Sequence, residues 1–163
     1  MKTMTLGKFP FPPSTNNQYA TIMRNGVPIR IPSSDYKIFK ARMADWHMKR
    51  DRLVTETRNF MLEIVARKNF FRVDKYYCVP KAEIYYKNGN LRKRDVSNFV
   101  KAIDDEFVKM VAMDDSRIKA SYIEEMGIEG DDAFVFIVVS EHKFRTISEY
   151  VRGEVPSGSR ATW

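Results

Sequence analysis

The feature that most constrains the fold is a long apolar repeat in the first half of the chain. Its members lie three, four or seven residues apart, the spacing of one helix face; they are Tyr36, Phe39, Met43, Trp46, Leu53, Phe60 and Ile64. A helix of this length needs a second layer to cover its apolar face, so core or dimer packing is its expected role. The repeat predicts a long amphipathic helix, broken once near Arg50 and capped at its start by Ser33, Ser34 or Asp35.

Strands are predicted on both sides of this helix. Residues 3–8 form a first strand, and YATIMRNGVPIRI alternates around Asn25-Gly26, a strong signal for a two-residue hairpin turn. After the long helix, residues 76–86 form a predicted strand, in which Pro80 indicates a bulge or an edge position near the start.

The remaining elements fill the second half. They are a turn at 88–90, a second helix over roughly 97–111, and two strands, 117–128 and 133–140, joined as a hairpin by the turn 129–132. This order predicts an α+β fold with a small mixed or antiparallel sheet and one long and one shorter helix. We expect one domain over residues 1–142 and a flexible C-terminal tail over 143–163.

Composition bounds the possible partners. The formal net charge of +7 favours a polyanion, nucleic acid first. The single cysteine, Cys78, excludes an internal disulfide and a cysteine-based zinc site. His47 and His142 are too far apart in sequence to form a helical metal pair. The start of the chain has no long apolar run, so we expect no signal peptide, no membrane span and a cytoplasmic location.

Acidic and basic residues gather around the second predicted helix. At 100° per residue its apolar side chains share one arc, and the opposite arc holds Ser97, Asn98, Lys101, Asp104 and Asp105. Asp95 precedes the helix, where the helix dipole favours a carboxylate. Asp114 and Asp115 follow it, where the dipole disfavours carboxylates, so a lysine or a metal ion is expected to compensate them.

This charge pattern suits a hydrolytic metal site. Mg²⁺ binds a few carboxylates and keeps positions for water and a phosphate oxygen. Acids before and after this helix can lie close together if the strand that follows the helix pairs beside the strand that precedes it. There a metal would generate hydroxide, a lysine would stabilise the developing charge, and Arg92-Lys93-Arg94 would anchor flanking phosphates. On spacing alone, Asp-Asp pairs serving as turn and cap residues on a solvated face remain the alternative.

Two segments carry a family resemblance. RDVSNFVKAIDD, followed by AMDDSRI, resembles the RusA family of Holliday junction resolvases (crossover junction endodeoxyribonucleases), which phages and prophages often carry. PFPPSTNNQY is similar to that family's Pro-Pro-Ser-Asn-Asn segment, with Thr15 inserted. The resemblance covers most of residues 5–141. It implies an α+β homodimer, in the cytoplasm of a bacterial host if phage-encoded, that binds four-way DNA junctions. It also implies paired symmetric nicks made with Mg²⁺ or Mn²⁺ and without a small-molecule cofactor.

The resemblance also implies roles for individual residues. Asp95 and Asp115 would be metal ligands essential to cleavage, with Asp114 assisting as a third ligand. Lys101 would act on the phosphate or on the attacking water. The DNA contacts would come from Arg92, Lys93, Arg94, Asn98, Asn16 and Asn17.

One position departs from the family's pattern. The family's second acid is Ser97 here, and a hydroxyl cannot supply the charge, although it can hold a metal-bound water or cap the helix. Asp104 lies on the same arc two turns further on, so it could substitute as a ligand only if the metal shifts. We expect an active enzyme. The alternatives are a RusA-like protein that binds branched DNA without cutting it, and an RNA-binding module that stacks bases on aromatic side chains.

Overall fold

The computed structural model describes residues 2–91, 95–143 and Ile147. Arg92, Lys93 and Arg94 and most of the expected tail therefore lie outside the described residues. The strands are β1 (Thr3–Pro10), β2 (Tyr19–Arg24), β3 (Val27–Pro32), β4 (Phe70–Pro80), β5 (Ile118–Ala120), β6 (Ile123–Ile128) and β7 (Phe134–His142). The helices are α1 (Ser34–Lys49), α2 (Asp51–Ala66), α3 (Lys81–Ile84) and α4 (Ser97–Val111), with 3-10 turns at Thr15–Asn17 and Asp115–Arg117.

Within the described residues, five strands form one mixed sheet, which confirms the predicted α+β class. β7 lies between β1 and β4 and is antiparallel to both. On its other side β4 pairs in parallel with β5 and then with β6. Parallel neighbours need a crossover connection, and α4 lies within the one that joins β4 to β5. The site described below is built around this helix.

The locally encoded elements form as predicted. Asn25 and Gly26 both have positive φ, as a two-residue hairpin turn between β2 and β3 requires. The long helix is broken at Arg50, which leaves helical geometry between α1 and α2. Ser33 caps α1 by accepting a hydrogen bond of 3.1 Å from the Tyr36 backbone N–H. α4 spans the predicted residues, and Gly89 takes positive φ in the predicted turn.

Two strand predictions are wrong. The strand expected over 76–86 begins at Phe70 and ends at Pro80, after which the short helix α3 follows. Pro80 has no N–H for a ladder, and it closes the strand instead of opening it. The prediction misses residues 70–75, which include the charged residues Arg72, Asp74 and Lys75. Charged residues are typical of a surface segment, but here they form ion pairs within the protein, so the strand can be buried.

The hairpin expected between 117–128 and 133–140 is also wrong. Its first strand divides at residues 121–122 into β5 and β6, because the Tyr122 N–H turns to the Asp74 carboxylate, 3.0 Å away. β6 and β7 do not pair with each other; they flank β4 on opposite sides. The almost continuously buried β4 takes the central position because both its edges are covered there.

The core lies between the sheet and the helices. Helices α1, α2 and α4 share one cluster of buried side chains with the sheet; it includes Leu6, Phe9, Phe39, Trp46, Ile64, Phe71, Val73, Tyr77, Ile103, Phe107, Val135 and Ile137. Phe9 and Trp46 stack with ring centroids 4.1 Å apart. The apolar stripe of the long helix is thus core, as predicted. Among the described residues, no helix is long and apolar enough to cross a membrane.

Candidate active site

Asp95 stands directly before α4 and organises its first turn. Its Oδ1 accepts the Ser97 backbone N–H at 3.0 Å and the Ser97 hydroxyl at 2.6 Å. The Asp95 side chain is exposed to solvent. The Ser97 hydroxyl therefore orients the first acid. It does not cap the helix, as considered from the sequence, because α4 begins at Ser97 without a side-chain cap and Asp95 accepts the backbone N–H instead.

The Pro-Pro-Ser segment lies against the same end of α4. Thr15, the inserted residue, donates a hydrogen bond of 2.6 Å from its hydroxyl to the Asn98 carbonyl oxygen. The Ser33 hydroxyl donates to the Asn17 carbonyl at 2.5 Å, so the segment is held from both sides. The two stretches that carry the family resemblance are thus brought together. Asn16 and Asn17 are exposed beside the first turn of α4, on which Asn98 lies.

The far end of α4 repeats the arrangement found at its start. Ala112 ends the helix in the left-handed conformation, with φ of 51°. Asp114 then caps the following 3-10 turn by accepting the Ser116 N–H at 2.8 Å. Hydrogen bonds from the backbone and side chain of Ser116 lower the pKa of Asp114. Asp114 and Asp115 are both exposed, and they present two adjacent carboxylates.

The middle of α4 carries an ion pair that the sequence did not indicate. Lys75, in the centre of β4, is buried, and its Nζ lies 2.7 Å from Asp104 Oδ1. Burial raises the pKa of Asp104, the Lys75 ammonium opposes that rise, and the charges of Asp105 and Asp115 add to it. Asp115 is thus near enough to Asp104 for their charges to interact. No motif pointed to Lys75; the weak signal was a lysine inside a run of strand-forming residues.

The predicted ligands are divided between the two ends of α4. The strand after α4, β5, pairs beside β4, the strand before it, which is the arrangement that would let these acids meet. However, α4 has 15 residues and is about 22 Å long, and it separates Asp95 from the Asp114-Asp115 pair. In the described parts of the chain no three His, Cys, Asp or Glu side chains are grouped to hold a metal. Lys101 is exposed on α4, between the two ends.

The donor set still fits one hard cation. Carboxylate oxygens are the ligands that Mg²⁺ takes, and its sites commonly use one or two carboxylates with water and a substrate phosphate. The adjacent, exposed pair Asp114-Asp115 offers that number. Asp104 is a weaker candidate because Lys75 already holds its Oδ1.

The family model described as "Endodeoxyribonuclease RusA" matches residues 10–139. The chain therefore belongs to the RusA family of endodeoxyribonucleases, whose members are junction-resolving and generally depend on a divalent metal.

Two further comparisons add nothing to this assignment. No curated protein matches the chain. Among solved structures, 2C-methyl-D-erythritol 2,4-cyclodiphosphate synthase from Plasmodium vivax is similar at 12% identity, with 86% of this chain and 97% of that chain covered and a TM-score of 0.31. A similarity this low carries no argument about fold or function.

Proposed function

We propose that the chain is a Mg²⁺-dependent endonuclease that resolves four-way or otherwise branched DNA by paired symmetric nicks. The observation that carries this proposal is the exposure of Asp95, Asp114 and Asp115, the acids at the family's motif positions, on both sides of α4 within the matched region. Asp95 and Asp114 also accept backbone N–H groups as turn residues do, so it is their place in the matched region together with their exposure that favours a metal site.

Each residue has a defined task in this proposal. Asp115 and Asp114 would hold the cation. Asp95 would join them as a ligand only if the residues that precede α4 move toward that pair when DNA binds, since the helix of about 22 Å separates them in this structure. When bound, the cation would activate the attacking water and neutralise charge on the scissile phosphate. Lys101 would donate to a phosphate oxygen as negative charge develops there. Water adds to phosphorus, one P–O bond to the departing strand breaks, and the leaving oxygen takes a proton.

DNA binding would use the two segments that meet at the start of α4. Asn16, Asn17 and Asn98 would donate hydrogen bonds to phosphate or sugar oxygens, and Arg92, Lys93 and Arg94 would neutralise flanking phosphates. Contacts of this kind position the duplex arms without reading sequence. We further propose a homodimer, because a two-fold protein places two equivalent sites on a two-fold junction and so makes paired cuts.

A second candidate is a junction-binding protein without cleavage. It is favoured by one observation: the hydroxyl at the family's second-acid position is engaged with Asp95 and brings no charge. Both proteins would bind a four-way junction in EDTA, so only metal-dependent nicking separates them.

The test is nicking of a synthetic four-way junction in Mg²⁺ and in EDTA. We expect symmetric cuts by the wild type in Mg²⁺ and no cuts by Asp115→Asn, with junction binding in EDTA equal for both. Asp131→Asn, an exposed acid in the turn before β7, is the matched control and should cut normally. Nicking by Asp115→Asn at the parental rate would reject the site assignment. A wild type that binds without cutting, with cutting gained by Ser97→Asp, would establish the second candidate.

A further inference from the structure

Lys75 is a charged residue in the interior of a chain whose other lysines are mostly at the surface. Its side chain is 2% exposed, whereas that of Asp104 is 32% exposed, so the pair reaches from the core to the solvent. Burying an ammonium is costly unless it is paired and hydrogen-bonded, and a well-packed apolar residue of similar volume commonly does as well for stability. A role beyond packing would explain a lysine at this position.

The contacts of the Lys75 ammonium indicate what that role is. Besides its ion pair with Asp104, the ammonium donates a hydrogen bond of 3.1 Å to the Ser121 hydroxyl. That hydroxyl donates a hydrogen bond of 2.7 Å to the Val73 carbonyl oxygen. Ser121 lies in the link between β5 and β6, a few residues after Asp115. The lysine therefore joins the middle of α4 to the segment that carries the Asp114-Asp115 pair.

The same ammonium faces the negative side of α4. Asp105 and Asp115 both act electrostatically on Asp104, so Lys75 offsets negative charge at that carboxylate. Tyr77 follows two residues along β4, and among the described residues its buried hydroxyl has no hydrogen-bond partner. The Asp104 charge also acts on Tyr77. Without the lysine, this interior would face an uncompensated carboxylate.

We infer that Lys75 is a positioning residue for cleavage: its buried ammonium ties Asp104 to β4 and Ser121, withholds that carboxylate from the cation, and so confines the metal to Asp115 and its neighbours. The inference rests on the proposed function, since it assigns a residue to that site. Lys75 lies outside both motif segments that resemble the family. It acts through Asp104 and touches neither substrate nor metal.

The test compares Lys75→Met with the double variant Lys75→Met/Asp104→Asn. In Lys75→Met, Asp104 becomes a free, unpaired carboxylate that competes for the cation. We expect the maximal nicking rate to fall about 10-fold, the lower end of the losses that follow mutation of a residue in the outer shell of a metal site. The Mg²⁺ concentration for half-maximal nicking should shift as well. The double variant, which removes both charges, should return that concentration to the wild-type value, and Lys81→Met, at a surface pair with Glu129, should change neither.

Effects on folding and effects on metal binding are separated by measuring the folded fraction and the half-maximal Mg²⁺ concentration of each variant. If Lys75→Met and the double variant lose rate only in proportion to the folded fraction, with the half-maximal Mg²⁺ concentration unchanged, Lys75 is structural and the inference is overturned. If the wild type does not nick, the proposed function fails, and Mn²⁺ binding by calorimetry takes over the test. A Mn²⁺ affinity that differs between wild type and Lys75→Met, and is restored in the double variant, supports the inference. Equal affinities, or no binding by the wild type, overturn it.

Discussion

The Ser97 hydroxyl donates a hydrogen bond of 2.6 Å to the Asp95 carboxylate, and the Ser97 backbone N–H donates to the same oxygen at 3.0 Å. An acid at position 97, which the resemblance to the family implies, would place a second carboxylate beside Asp95. Ser97 instead brings no charge to the start of α4 and fixes the orientation of Asp95. Ser97 thus contributes geometry to this end of the helix, not charge.

Ser97→Ala tests what the hydroxyl contact with Asp95 contributes to stability and to nicking. Only the hydroxyl bond is lost, and a side-chain hydrogen bond of this kind is worth about 1 kcal/mol. We expect the free energy of unfolding to fall by about that amount and nicking to slow without being abolished. Urea unfolding and a junction-nicking assay measure the two effects. Ser34→Ala, at the exposed start of α1, is the matched control, and equal losses in both variants would contradict a specific role for the Asp95 contact.

Thr15→Val tests whether the inserted threonine joins the two motif segments. The change keeps the side-chain shape and removes the donor to the Asn98 carbonyl, 2.6 Å away. We expect a loss of about 1 kcal/mol in unfolding free energy and weaker junction binding in EDTA, because Asn16 and Asn17 are then held only from the Ser33 side. Fluorescence anisotropy measures the binding. Thr21→Val, exposed on β2, should bind as the wild type does; identical affinities for the two variants would refute the prediction.

The sequence predicts those elements that are encoded locally. Asn-Gly has few conformations other than a tight turn, the apolar period of α4 survives from Val96 to Val111, and a serine before an apolar repeat caps a helix. Each of these signals is complete within a few residues. The turn at Asn25-Gly26, the Ser33 cap and both ends of α4 were therefore correct.

The partners of the strands and the buried charges could not be predicted in this way. β6 and β7 are adjacent in sequence, and a turn-like stretch joins them, yet β4 separates them in the sheet. That choice depends on burying β4 on both edges, which no local pattern reports. Lys75 likewise looks like a surface residue until Asp104, 29 positions later, is placed opposite it. Contacts between residues far apart in sequence determine both the strand order around β4 and the burial of Lys75.

Arg94→Ala tests the proposed phosphate contacts of the basic run. Losing one arginine that neutralises a phosphate should weaken junction binding at low salt and reduce the slope of log affinity against log salt concentration by about 1. Titrations in EDTA at several salt concentrations provide the measurement. Arg58→Ala, on the exposed face of α2, changes the net charge equally and should leave the slope unchanged. Parallel salt curves for Arg94→Ala and wild type would exclude the contact.

Glu141 couples the stability of the domain to pH at the end of β7. Hydrogen bonds from Arg67 (Nε, 3.1 Å) and Asn69 (Nδ2, 2.5 Å) lower the pKa of Glu141 below its ordinary value of 4.5. Because the folded-state pKa is the lower one, the charged form is favoured by folding. Its contribution is present above the unfolded pKa and is lost as pH falls through the folded pKa.

Glu141→Gln should therefore destabilise the protein in a pH-dependent manner. Glutamine keeps an oxygen acceptor for Asn69 but loses the negative charge that strengthens the hydrogen bonds from Asn69 and Arg67, so we expect a loss of about 1 kcal/mol at pH 7. The difference between variant and wild type should shrink as the pH falls below 4.5. Urea unfolding at a series of pH values measures it. Glu129→Gln, whose carboxylate meets Lys81 at the surface, should show a small difference at every pH; a constant Glu141→Gln effect from pH 7 to pH 3 would contradict the coupling.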